Sequence, residues 1–411
     1  MLAASTSPAS YDNVPATANI RGGLCLSVSR WSTLGFGVIL TLAALRAYQY
    51  PEYSTDGFQY MANAVAMHGA RAPEIHATVY REAHAGVPKN ILEHLLGLNQ
   101  PDTSQSRSFQ ERAKDPYRFT EFLPCFAVRP IFNELVYVMH YGFGVSLLRA
   151  IVLIPVLSFW LMGWLAFLWM TRYVSFWAAA ALCCLLMLSP PVWDLARSTT
   201  PDALSALVLL AGLYCILQKN WMAVGLVILL VSVYVRTDNV LAVLFVLAYL
   251  TLVKRTLDLA KGAVLASVAV GSVLLINHFA GDYGPAMLYY RAFVAIPLAP
   301  GELVAHFGFR DYLTALRSGF AVVIHEDFIP FAFMGLIACL KRPSSAILAL
   351  TLIASAYTAS HFVLYPEPEQ RFFGIFFVAM GIAAAASVRD RMSLTGVIPA
   401  AVESSRELIA S

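Results

Sequence analysis

Seven residues have the types and positions that chemistry at a membrane surface requires: Asp56, Arg129, Arg236, His361, Tyr365, Glu369 and Arg371. Asp56 lies in Tyr50-Pro51-Glu52-Tyr53-Ser54-Thr55-Asp56-Gly57-Phe58-Gln59-Tyr60, where an apolar stretch from about Trp31 to Tyr48 gives way to a long polar segment. A carboxylate there can take the proton of a sugar or protein hydroxyl delivered from water. It can equally cap the helix that follows. Arginine suits anionic ligands because its planar fork holds two phosphate oxygens. Near an apolar region it costs about 2.5–3.5 kcal/mol, so it needs a partner or a purpose. For Arg236 the plain alternative is a local pair with Asp238 or a snorkelling side chain. For Arg371 it is an interfacial anchor paired with Glu369 or Glu367, and for Arg129 a solvated loop position before Pro130. His361 and Tyr365, four apart, share a helix face and can meet sugar or phosphate, or form an interhelical pair.

The elements that must position these groups follow from composition. The chain has 411 residues, of which 59% are hydrophobic and 13% charged, with a mean hydropathy of +0.66; soluble domains carry about 25% charged residues. This predicts an all-α integral membrane protein with about ten transmembrane helices and a long first outer loop containing surface helices. Residues 1–30 form a tail and 31–50 the first span. Residues 51–144 form the outer loop with the catalytic Asp, 145–388 a bundle of about nine further spans, and 389–411 a second tail. Apolar runs place those spans near 145–170, 174–192, 202–218, 221–235, 239–253, 262–279, 319–340, 343–364 and 371–388. Arg172, Lys219, Lys254, Arg255, Lys261, Lys341, Arg342, Arg389 and Arg391 fall on one side of this arrangement. By the positive-inside pattern both termini are then cytoplasmic, and the loop from 51 faces outward.

Within that loop, Thr55 and Asp56 are both good caps for a short amphipathic helix from Asp56 to His68 lying along the membrane surface. Pro88 to Leu96 reads as a second helix, Asn99 to Ser108 as a polar turn or mobile lid, and Phe119 to Tyr141 as a surface helix returning to the membrane. His325-Glu326-Asp327 could hold a divalent cation or be an exposed polar cap. His76, Arg81, His84 and His94 lack metal-ligand spacing, and most of them read as solvated. The six cysteines suggest neither a disulfide framework nor a zinc site. No resident cofactor is expected, although a divalent metal is possible. The net charge of +3 gives no reason to expect a nucleic-acid partner, and no phosphate-binding glycine loop appears.

Several short motifs occur in a suggestive order: Asp56-Gly-Phe-Gln-Tyr60-Met-Ala-Asn-Ala64, Arg129-Pro130-Ile131, Pro201-Asp202, Arg236 at a span end, and Tyr365-Pro-Glu-Pro-Glu-Gln-Arg371-Phe-Phe. The chain thereby resembles the GT-C superfamily of membrane glycosyltransferases, in particular bacterial relatives of protein mannosyltransferases and arabinosyltransferases. The resemblance implies transfer of a sugar from a polyprenyl-phosphate donor, held among membrane lipid, to an outer-side glycan, lipid or protein acceptor. Asp56 would be the base. Arg129, Arg236, Arg371, His361, Tyr365 and Glu369 would bind donor phosphate or substrate. Where many members carry Asp-Asp, this chain has Thr55-Asp56, which argues against a two-carboxylate metal site there. The expected location is a bacterial inner membrane. A polysaccharide polymerase or ligase, or a lipid or solute transporter, are the other classes of this size and hydropathy.

Overall fold

The computed structural model describes residues 24–281, 290, 300, 308–325, 327–341, 343–367 and 369–394. Every regular element among them is a helix, and their one β pairing is a parallel bridge between Glu52 and Ser198. Four helices are long and apolar enough to cross a bilayer, or up to seven spans if each of three bent pairs counts as one. The described residues are thus all-helical, with the long apolar helices that a membrane protein has. The four are α9 (Leu147–Met170), α15 (Leu259–Phe279), α18 (Ser345–Leu364) and the span Gln370–Val388, which a 3₁₀ turn begins and α19 (Gly374–Leu394) continues. Burial sorts them: 78% of the last span is buried against 17% of α15. The last span is therefore the hub, packed on α9, α10 (Phe176–Met187), α11 (Pro190–Arg197), α12 (Asp202–Leu217), α17 (Phe328–Leu340) and α18. By contrast α15 presents Val264, Leu274 and Phe279 outward, as a lipid-facing helix does.

Three expected spans are shorter than a bilayer. α12, α13 (Met222–Val235) and the segment Thr237–Val253, which includes α14 (Val240–Ala248), each have 17 residues or fewer. α12 and α13 pack with backbones close together, because a Cβ at Gly225 would lie 2.8 Å from the Gly212 carbonyl oxygen. The expected span 174–192 is instead α10 and α11, bent by 67° at Pro190. Pro190 sits in the first turn of α11 and disfavours helical backbone at the preceding Ser189, which is extended at ψ 144°; this accounts for the break. Likewise 319–340 is divided between α16 (Phe309–His325) and α17. The first helix, α1, runs Leu24–Gln49, with its apolar part over Thr33–Gln49. Most of both expected tails, most of the outer loop after Gly281, and Glu326 of the candidate cation cluster lie outside the described residues.

The early polar segment differs most from expectation. It forms α2 (Thr55–Met67), α3 (Ala72–Gly86), α4 (Lys89–Leu95), α5 (Ser104–Lys114), α6 (Pro116–Thr120), α7 (Leu123–Ala127) and α8 (Pro130–Tyr137). α2 does not lie along a surface: residues 57–65 are all buried, beneath α3, α7 and α8. Its residues face protein all round, so one polar face was never required. The expected turn or lid at Asn99–Ser108 is partly α5, started by reciprocal bonds between Thr103 and Ser106 and with Ser106 and Ser108 buried. His76 is not simply solvated; its Nε2 lies 3.2 Å from the Arg112 and 3.0 Å from the Ala113 carbonyl oxygens, and its ring packs on Tyr80 and Phe119. The returning helix at 119–141 is broken, with Pro116–Ala127 and Pro130–Gly142 bent by 119°. Arg129, preceding proline, is held off the helical region at φ −123°, ψ 63°.

Candidate functional site

Asp56 is not the cap of α2. Ser54 is, its hydroxyl accepting from the Gly57 N–H at 3.3 Å, so the Asp56 carboxylate is spared that role. The segment before the helix and the packing at Gly57 fix where the helix starts. The Tyr50–Ser54 segment is stitched to residues 197–199: Glu52 N–H donates to the Arg197 carbonyl at 2.8 Å, Arg197 Nε donates to the Tyr50 carbonyl at 3.1 Å, and the Ser54 and Thr199 hydroxyls lie 3.1 Å apart. Gly57 allows the close approach, since a Cβ there would sit 2.8 Å from Thr199 Oγ1 and 3.0 Å from Ile151 Cδ1. Asp56 therefore enters the protein beside the link that leads to Asp202.

The break between α13 and α14 carries Arg236-Thr237-Asp238-Asn239 in irregular backbone, with Arg236 extended at φ −148°. Arg236 is 6% exposed, so its charge must be answered within the protein. Asp238 answers it in bidentate fashion, with Nε–Oδ1 at 3.0 Å and Nη2–Oδ2 at 2.9 Å. Asp202, at the start of α12, forms a second ion pair with it and accepts a hydrogen bond from the Thr200 hydroxyl. From α18, His361 Nε2 lies 2.9 Å and the Tyr357 hydroxyl 3.3 Å from Asp238 Oδ2. Asn239 ties in Ser205 of α12 through paired bonds of 2.9 and 3.0 Å. The local-pair alternative and the site reading thus meet at Arg236, which is buried and does not snorkel: it has its local carboxylate and also faces a cavity.

Arg371, at the start of the last span, pairs with Glu369 and with Asp56, the latter at 3.2 Å across 315 positions of sequence. The Phe372 ring is close to both guanidiniums, with its centre 4.8 Å from Arg236 and 5.2 Å from Arg371. Arg129 donates to the Cys125 carbonyl at 3.0 Å and lies 5.9 Å from the centre of the Tyr60 ring. Around these groups is a cavity of about 320 Å³ lined by Asp56, Arg129, Arg236, His361, Tyr365 and Arg371 among others. Phe122, Phe126, Val240, Leu241, Val273 and Leu364 make an apolar wall. Glu369 alone of the seven is absent from the lining and reaches the site through Arg371. His361 and Tyr365 do share a side of α18, with rings edge to face at 6.2 Å, but the stronger partner of His361 is Asp238.

Such a cavity joins an acceptor of protons, three guanidiniums and an apolar surface, the combination that an amphiphilic anion with a reacting hydroxyl partner requires. Burial pushes the Tyr60 phenol up, with the Asp56 charge adding to that and the Arg129 guanidinium opposing it, so Tyr60 stays a neutral wall of the site. Among the described residues no group of three or more His, Cys, Asp or Glu side chains is arranged to hold a metal ion. No protein-family model, curated protein or solved structure matches this chain. Asp202, Asp238, Thr200, Tyr357 and Phe372 join the site without having been singled out for it. The signals were present as Arg-Thr-Asp-Asn between two apolar runs and as the hydroxyl run Ser198-Thr199-Thr200 before Pro201-Asp202.

Proposed function

We propose that this protein is a membrane glycosyltransferase that moves a sugar from a polyprenyl-phosphate donor to a glycan, lipid or protein acceptor on the outer side, with Asp56 as general base. The observation that carries the reading is the shared cavity, where Asp56, Arg129, Arg236 and Arg371 meet beside an apolar wall. In the reaction the acceptor oxygen attacks the anomeric carbon as its proton passes to Asp56. The bond from that carbon to the phosphate oxygen breaks, its electron pair staying on polyprenyl phosphate, and a single displacement inverts the anomeric centre. The 3.2 Å pair between Asp56 and Arg371 supplies a coupling. Once Asp56 takes the proton its charge disappears, and Arg371 is released toward the phosphate as that group gains charge. Arg129 and Arg236 add positive potential, and the Phe122, Phe126 and Leu241 side takes the lipid chain.

On this reading residues 51–144 form the first outer region of an arrangement of about ten spans, with both termini cytoplasmic in a bacterial inner membrane. Lipid-bound donor and water-borne acceptor then meet at headgroup level. Native mass spectrometry of the gently solubilised wild type and Asp56→Asn tests the reading without a guess about the sugar. A polyprenyl-phosphate adduct bearing a sugar mass, accumulating in the variant, is expected. Phospholipid alone in both proteins counts against it.

A further inference from the structure

The polar groups that line the cavity fall into two sets. The charged ones answer one another, Asp56 with Arg371 and Arg236 with Asp202 and Asp238, while Arg129 has the Cys125 carbonyl. Thr237 and Asn277 line the same cavity, yet among the described residues neither side chain has a hydrogen-bond partner. Both residues are half-buried, and none of their polar atoms is sealed in the interior. A ligand can therefore reach them.

The helix that carries Asn277 turns it toward the site. α15 buries Gly262, Ala269 and Ile276, a stripe seven residues apart, while Val264, Leu274 and Phe279 face outward. Asn277 lies on the flank of that stripe one turn beyond Val273, and both line the cavity. An amide turned instead to hydrocarbon would be left without partners at a cost of several kcal/mol. Two contacts hold this part of α15 in place. The Tyr234 and Ser272 hydroxyls, 3.1 Å apart, tie it to α13 three residues before Thr237. At its end a Cβ on Gly281 would meet the Pro124 side chain of α7 at 3.4 Å.

The two groups differ from the arginines in what they can bind. A phosphate only accepts hydrogen bonds and carries charge, so it belongs with the guanidiniums. A carboxamide offers donors and an acceptor, and the Thr237 hydroxyl offers both roles, which suits neutral hydroxyls that also donate and accept. Thr237 follows Arg236 directly in the break before α14. The neutral pair thus adjoins the charged groups as a sugar adjoins the phosphate of its donor.

We propose that Thr237 and Asn277 form the sugar subsite, hydrogen-bonding hydroxyls of the transferred sugar and so setting which sugar is taken. The ligand class rests on the transferase reading. The test measures Kd in lipid nanodiscs for farnesyl phosphates carrying mannose, glucose or arabinose, with farnesyl phosphate alone as the comparison. At least one sugar-bearing probe should bind the wild type more tightly than the bare phosphate does. Asn277→Leu, close in volume and without polar side-chain atoms, should weaken that probe about three- to tenfold, and Thr237→Val should do the same. Affinity for farnesyl phosphate and the thermal midpoint should stay near the wild type in both.

A wild type indifferent to the sugar, undiminished affinity for the sugar-bearing probe in either variant, or an equal loss for both probes overturns the proposal. The two readings fail differently. If the wild type binds no probe at all, sugar-bearing or bare, the transferase reading falls and the subsite with it. If a sugar preference persists through both substitutions, the subsite alone is lost and the transferase reading stands.

Discussion

At the scale of single residues, the central pair is Asp56 with Arg371, 3.2 Å apart and joined from opposite ends of the chain. Asp56→Asn is close in size and leaves the Ser54 cap in place. We expect its thermal midpoint to stay within a few degrees of the wild type while transfer falls by about 10²–10⁴, the usual contribution of a general base; a variant with wild-type turnover removes Asp56 from the mechanism. Arg371→Ala should weaken donor binding by about ten- to hundredfold, measured as Kd for a short-chain polyprenyl phosphate sugar, whereas unchanged affinity leaves Arg371 an anchor. Arg236→Ala has a different signature. It strands Asp202 and Asp238 without their shared guanidinium, which should cost about 3–5 kcal/mol and appear as lost thermal stability before any assay of activity. Asp56, the three arginines and His361 could be named from the sequence because each is a polar group beside an apolar run, a position that equally admits a cap, a local pair or an anchor; packing is what brings them to one cavity. Asp202 and Thr200 were harder to read. Their role depends on which loop the Arg236 side chain meets, and that pairing is decided by packing between α12 and α13 rather than by neighbours in sequence.

At the scale of elements, the site depends on where helices begin. Asp56 enters at the first turn of α2, Asp202 opens α12, Arg236 and Asp238 occupy the break before α14, and Arg371 begins the last span. Helix starts place side chains more exactly than loops do only if the start is pinned, and Gly57 against Thr199 and Ile151 does the pinning here. Gly57→Ala should cost roughly 1–3 kcal/mol through overpacking and lower kcat more than it changes KM, because a small displacement of the base impairs proton transfer more than donor binding. Steady-state kinetics beside a melting curve separates the two effects. The existence and ends of the long helices could be read from apolar run length, as at Leu147–Met170 and Ser345–Leu364. The early polar region could not. A helix buried on every side, such as α2, has no polar stripe to betray its orientation, and the breaks at Pro130 and Pro190 turn continuous apolar runs into bent pairs.

For the whole molecule, the expectation that can be checked directly is sidedness. Single cysteines placed at exposed positions of α3 and α4 should react with a membrane-impermeant thiol reagent in intact cells, while cysteines at Lys219 and Arg255 should react only after the membrane is opened. The reverse pattern would put the cavity on the cytoplasmic face and end the proposal of an outer-side acceptor.

The shortness of α12 and α13 bears on the membrane itself. Helices of 16 and 14 residues are about 24 and 21 Å long, against a hydrocarbon thickness of about 30 Å. Hydrophobic mismatch of that size draws the headgroup plane inward beside the protein, so the bilayer would dip next to Arg236. A carrier phosphate sliding in that leaflet would then descend toward the guanidiniums without having to leave its own solvent layer. Reconstitution into vesicles of stepped acyl length should show it: transfer fastest in thin bilayers and declining as the chains lengthen.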